Sequence, residues 1–94
     1  MNALNTVREI LAEVQEMSGR PYVSIAGSQA PIGTLDGFDS LSSIEATVML
    51  EAKFGINADG NSLFISDDGT KALTLDEIAA RIENLVKAHE PSHA

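Results

Sequence analysis

The chain has 94 residues, 44% of them hydrophobic, with 14 acidic side chains against 6 basic ones and a net charge of −8. That apolar content excludes a disordered chain, and the length points to one domain with a modest core and little room for an enzyme's enclosed cleft. The acidity repels nucleic-acid phosphates and anionic lipid and attracts basic protein patches, and the lack of cysteine removes disulfides, thiolate metal sites and a Cys nucleophile.

The first predicted helix opens at Thr6, which has capping-box spacing to Glu9. Val7, Ile10, Leu11, Val14 and Met17 follow as one helical stripe. The charges Arg8, Glu9, Glu13 and Glu16 within this stretch do not suit a signal-peptide core. Gly19 suits a left-handed C-terminal cap, and Pro21 cannot continue a helix.

Tyr22 to Gly37 reads as a long loop. Gly27, Gly33, Gly37 and Pro31 punctuate it, and Val23 and Ile25 alternate with Ser24 as a brief extended stretch. Ile32 and Leu35 are expected to anchor the loop on a core. A loop of this length is usually functional or disordered, and its apolar content favours a packed one.

A further helix is expected from about Leu41 to Phe54, with Leu41, Ile44, Val48 and Leu50 on its apolar faces. Asp39 and Ser40 can each serve as its N-cap, and Ser42 with Glu45 offers another capping box. Gly55 ends it. Asn57 to Leu73 is turn-rich; Ser62–Ser66 and Lys71–Leu73 read as a small hairpin. Thr74 and Glu77 form a third capping box, and the last helix carries Leu75, Ile78, Ala79, Ile82, Leu85 and Val86, with Lys87 near the negative end of its dipole. No run approaches the roughly 18 apolar residues of a membrane span. The fold class is therefore all-α, a small bundle of three main helices with an irregular segment before the last. It is expected to form one domain over residues 1–94, with 1–5 and 89–94 frayed.

Several apparent sites fail on their chemistry. His89-Glu90-Pro91-Ser92-His93 matches a zinc-protease pattern, but Pro91 breaks the helix that the two histidines require. Asn57, Asp59 and Asn61 have calcium-loop spacing, but Ser62 and Asp68 stand where that loop needs Gly and Glu. No Gly-Lys-Ser/Thr follows the glycines, and both histidines lie in the tail, which leaves no phosphate loop and no held triad histidine.

The remaining signal is a serine where a glycine-containing loop meets a helix. Leu35-Asp36-Gly37-Phe38-Asp39-Ser40-Leu41, then Ile44-Glu45, then Leu50-Glu51-Ala52-Lys53-Phe54-Gly55-Ile56 resembles the acyl carrier protein family from about Thr6 to Val86. The resemblance implies that Ser40 receives 4'-phosphopantetheine from coenzyme A through a phosphopantetheinyl transferase. Acyl groups would then ride on the arm's thiol as thioesters, delivered to and taken by separate acyl-loading and acyl-using enzymes. The chain itself would not catalyse. It would be a cytoplasmic monomer, without nucleic-acid partners. Asp39 and Leu41 flank the attachment site; Asp39 would be a capping carboxylate or a contact for a partner's basic group. Leu41, Ile44, Glu45, Val48 and Glu51 are the implied partner face, with simple core packing as the other reading of Ile44 and Val48. Physics independently favours a phosphodiester at Ser40, because helix N-termini stabilise anions.

Three departures from the family pattern stand out. Ser42 and Ala52 occupy positions often acidic in the family, Lys53 adds a positive charge, and Asn57–Leu73 is longer than the usual connection. Phe64 and Ile65 there are core, or else line a groove for an acyl chain. These departures point to a specialised carrier with dedicated partners. Peptidyl carriers, the neighbouring class, usually have Gly-Gly before the serine, where this chain has Phe38-Asp39. A protein-binding bundle with an unmodified Ser40 is a further alternative.

Overall fold

A computed structural model describes residues 3–58 and 60–89. Helix α1 spans Ala3–Met17, α2 Pro31–Thr34, α3 Ser40–Phe54 and α4 Leu75–His89, and the described residues contain no strand. The chain is thus the all-α bundle that the three apolar helical patterns require. α1 is its centre and packs against both α3 and α4. Val7, Leu11 and Val14 of α1, Ala46 and Leu50 of α3, and Leu75, Ile78 and Ile82 of α4 are all buried at that junction.

α1 starts earlier than the Thr6–Glu9 spacing suggests. Ala3 is buried and Ala3, Leu4 and Asn5 already form the first turn, so Thr6 lies inside the helix and cannot cap it. The helix gains more from placing Ala3 in the core than from stopping at a local cap. At the other end Gly19 does adopt a left-handed conformation, φ 70°. The Arg20 amide reaches the Gln15 carbonyl at 2.8 Å and the Gly19 amide reaches Glu16 at 3.0 Å, the paired bonds of a Schellman cap. Met17 falls past the edge of the packed stripe and is exposed.

The long loop is packed rather than extended. Ile25, Leu35 and Phe38 are buried, while Val23 points to solvent. Gln15, itself fully buried, donates through Nε2 to the Pro21 carbonyl at 3.0 Å and the Asp36 carbonyl at 2.8 Å. One α1 side chain therefore holds both ends of the loop. The loop in turn caps α4, since the Leu75 and Asp76 amides donate to the carbonyls of Gln29 and Gly27. Pro31–Thr34 is a single irregular turn, with Ile32 and Gly33 outside helical geometry.

The hairpin shrinks to one antiparallel bridge, Ile65 opposite Ala72, flanked by the bonds Ser66 N–H to Lys71 O and Leu73 N–H to Phe64 O. The segment's apolar residues serve the core instead. Leu63 and Phe64 are fully buried, and Phe64 meets Phe38 edge-on at a centroid distance of 5.4 Å. Arg81 fastens this segment to α4 by donating to the Ile65 carbonyl and the Asp67 carboxylate. The Thr74–Glu77 capping box forms as expected, with reciprocal bonds of 2.9 and 3.2 Å.

Ala3–Asn5, expected to fray, are helical, and so is the backbone of His89. Glu90 to Ala94, Asp59 and the first two residues lie outside the described residues. No helix among the described residues is long and apolar enough to cross a membrane.

Candidate functional site

The loop-to-helix junction is built by Gly37, Asp39 and α1's end. Gly37 has φ 66°, which turns the chain into α3, and a side chain there would meet Arg20. Phe38 is buried and fixes the approach. Asp39 is the N-cap: its backbone is extended and its Oδ1 accepts from the Ser42 amide at 3.0 Å. That bond settles the choice between Asp39, Ser40 and Ser42. It also lowers the Asp39 pKa below the ordinary value, against the opposing effect of desolvation and with the Arg20 charge as a lesser aid.

Ser40 follows as the first residue of α3, and it is exposed. Its side chain does no capping, because Asp39 already does it. A serine hydroxyl at the positive end of a 15-residue helix, facing solvent, can carry an anionic ester. Beside it lies an open depression of about 570 Å³, lined by Arg20, Thr34, Asp36 and Asp39 among others. Arg20, which the sequence patterns leave unnoticed, donates to the Gly37 carbonyl and brings a cation to the same mouth. Its only sequence signal is its place directly after Gly19.

Along α3 the expected apolar residues divide between two sides, with Leu50 in the core and the others outside. Leu41, Ile44 and Val48 are 70%, 43% and 57% exposed, and Glu45 is exposed with them. Spacings of three and four residues put these four on one side of the helix, starting beside Ser40. The core-packing reading of Ile44 and Val48 does not hold. Glu51, three residues on from Val48, lies at the edge of that side; its carboxylate accepts from the Ala58 amide at 2.8 Å and is part-buried.

The buried side of α3 is Ser42, Ser43, Ala46, Thr47 and Leu50. Ser43 donates to the Ser40 carbonyl at 2.6 Å and accepts from the Ser62 hydroxyl at 3.0 Å. Ser62 accepts from the Phe64 amide at 3.0 Å. Thr47 donates to the Ser43 carbonyl at 2.7 Å and accepts from the Leu63 amide at 2.9 Å. Each of the three hydroxyls thus donates once and accepts once, so none is left wanting a partner. Among the described residues no group of three or more His, Asp or Glu side chains converges as a metal ion needs.

Comparison of the chain with protein-family models, with curated proteins and with solved structures finds no match. The class defined by the fold is therefore the coarse one, a small helical bundle with a solvent-facing serine at the head of α3.

Proposed function

We propose that the chain is an acyl carrier whose Ser40 is the attachment point for 4'-phosphopantetheine. The observation that carries this reading is the position of Ser40: exposed, first in α3, and relieved of capping duty by Asp39. In the attachment step the Ser40 Oγ bonds to the phosphorus that carries the pantetheine of coenzyme A. The pyrophosphate bond breaks, adenosine bisphosphate leaves, and the hydroxyl proton passes to a base on the transferase. The new phosphodiester is favoured by the α3 N-terminus. The arm's thiol then carries an acyl group as a thioester, which gives a cysteine-free chain its thiol chemistry.

The exposed Leu41, Ile44, Glu45 and Val48 form the docking face for the transferase and for acyl-handling enzymes. A bundle that binds proteins through the same face with Ser40 unmodified is the second reading, favoured by the exposure of those apolar residues. Intact mass decides between them. Incubation of the apo protein with coenzyme A and a broad-specificity phosphopantetheinyl transferase should add one phosphopantetheine to the wild type and none to Ser40→Ala. No gain on the wild type, or an equal gain on Ser40→Ala, refutes the carrier reading. A normal partner complex with Ser40→Ala supports the second.

A further inference from the structure

An apolar chain tethered at Ser40 could escape water by slipping between α3 and Ser62–Phe64, of which Leu63 and Phe64 are fully buried. That entrance is fastened. Ser43, Thr47 and Glu51 lie four residues apart, one helical turn each, and form a single row along α3. Each bonds across to the chain beyond α3: Ser43 to the Ser62 hydroxyl at 3.0 Å, Thr47 to the Leu63 amide at 2.9 Å, and Glu51 to the Ala58 amide at 2.8 Å. The row begins at the attachment residue itself, since Ser43 also donates to the Ser40 carbonyl. An alkyl chain entering here would break these rungs and could replace none of them, leaving buried amides and hydroxyls without partners. The other concavity beside Ser40 is open, and Arg20, Asp36 and Asp39 share its lining with Val23, Leu35 and Phe38, so it can take a polar arm but does not enclose a hydrocarbon.

Resting on the carrier reading, we infer that the acyl group is carried outside the bundle, excluded by the polar seam that α3 forms with Ala58, Ser62 and Leu63. The cargo this suits is short or polar, because exposure of such a group to water costs little. A long alkyl chain would lie against the exposed apolar face of α3 until a partner took it.

The test loads isotopically labelled wild-type protein from acetyl- and octanoyl-coenzyme A with the transferase, with intact mass confirming each thioester. Nuclear Overhauser contacts and amide shifts are then compared between the two forms. The expected result is that the octanoyl chain gives no contact to Leu63, Phe64 or Ile82, and that shift differences stay near Leu41, Ile44 and Val48. Octanoyl contacts to Leu63 or Phe64, with shifts at Thr47 and Ser62, overturn the inference while leaving the carrier reading intact. Absence of any mass gain overturns both, so the two failures are distinguishable.

Discussion

Thr47→Val probes the seam most directly. Valine keeps the volume and the β-branching, so neither a cavity nor a change of helix propensity dominates. The Thr47 hydroxyl is buried and accepts from the Leu63 amide at 2.9 Å while donating to the Ser43 carbonyl at 2.7 Å. Its removal strands the Leu63 amide among fully buried neighbours, at a cost of about 1–3 kcal/mol. The added methyl offsets under about 1 kcal/mol by transfer from water. The expected net loss is about 1–2 kcal/mol, equivalent to a Tm drop of roughly 4–16 °C for a domain of this size. Urea unfolding followed by far-ultraviolet circular dichroism measures it, with the slope m unchanged. Val48→Thr, the reverse exchange at the exposed neighbour, is the control and should stay within about 0.5 kcal/mol. If Thr47→Val is as silent as Val48→Thr, the seam contributes nothing and the reasoning from it fails.

Ser40→Ala should abolish phosphopantetheine loading while leaving stability within about 0.5 kcal/mol of wild type, because the residue is exposed and Asp39 holds the cap. Gly55→Ala should cost about 1–2 kcal/mol from left-handed strain alone, since a Cβ there meets no neighbour within 4 Å. Gly37→Ala adds to the same strain a collision with the Arg20 side chain; besides destabilising, it should release Arg20 Nη1 from the Gly37 carbonyl, read in the Arg20 Nη–H resonances. Asp39 and Glu77 are lowered chiefly by the Ser42 and Thr74 amides, and Asp68 is lowered to about 2, chiefly by its bond from the Thr70 hydroxyl. A carboxylate with a depressed folded-state pKa stabilises fully above its unfolded value and ceases to do so as pH falls through the folded one. The urea midpoint should therefore be flat from about pH 7 to 5 and decline below about pH 4, the unfolded carboxylate range. Asp39→Asn and Glu77→Gln should make that decline shallower.

The parts of the fold legible in the sequence are those governed by local rules. Gly19 and Gly55 end helices, Thr74 and Glu77 cap one, and the stripes of α1 and α4 face the core. Three things were not legible, and each depends on a distant partner. Thr6 has a cap's spacing, but α1 runs on to Ala3 because Ala3 finds a place in the core. Leu63, Phe64 and Ile65 have strand composition, yet one bridge forms, because Phe64 packs on Phe38 and the segment bonds to α3 instead of to a second strand. Gln15 carries no motif, yet it clamps Pro21 to Asp36. The site was half legible. Ser40 at the head of a helix follows from punctuation and capping residues, whereas Arg20 arrives through the fold of a loop.

The division of α3's apolar residues between core and surface has the most to say about function. Periodicity alone leaves Ile44 and Val48 open between core and partner face; Ser43, Ala46 and Thr47 go inside because small residues let Ser62–Phe64 approach closely and the Thr47 hydroxyl takes up the Leu63 amide. The apolar stripe is left in water beside the hydroxyl at the helix start. Full burial of one such side chain is worth about 1.5–3 kcal/mol. These three are already partly covered by their own helix, so a partner recovers only part of that, about 3–5 kcal/mol in all before the cost of association. A stripe of this size sustains brief, weak contacts, since even a millimolar complex needs about 4 kcal/mol. Weak docking suits the proposed carrier role, in which the chain must leave one enzyme for the next. Enlarging the stripe should therefore harm turnover while tightening binding. Glu45→Leu, in line with Ile44 and Val48, is expected to lengthen residence on an acyl-handling partner measured by surface plasmon resonance and to slow multi-step transfer. Faster transfer alongside tighter binding would contradict this account of the face.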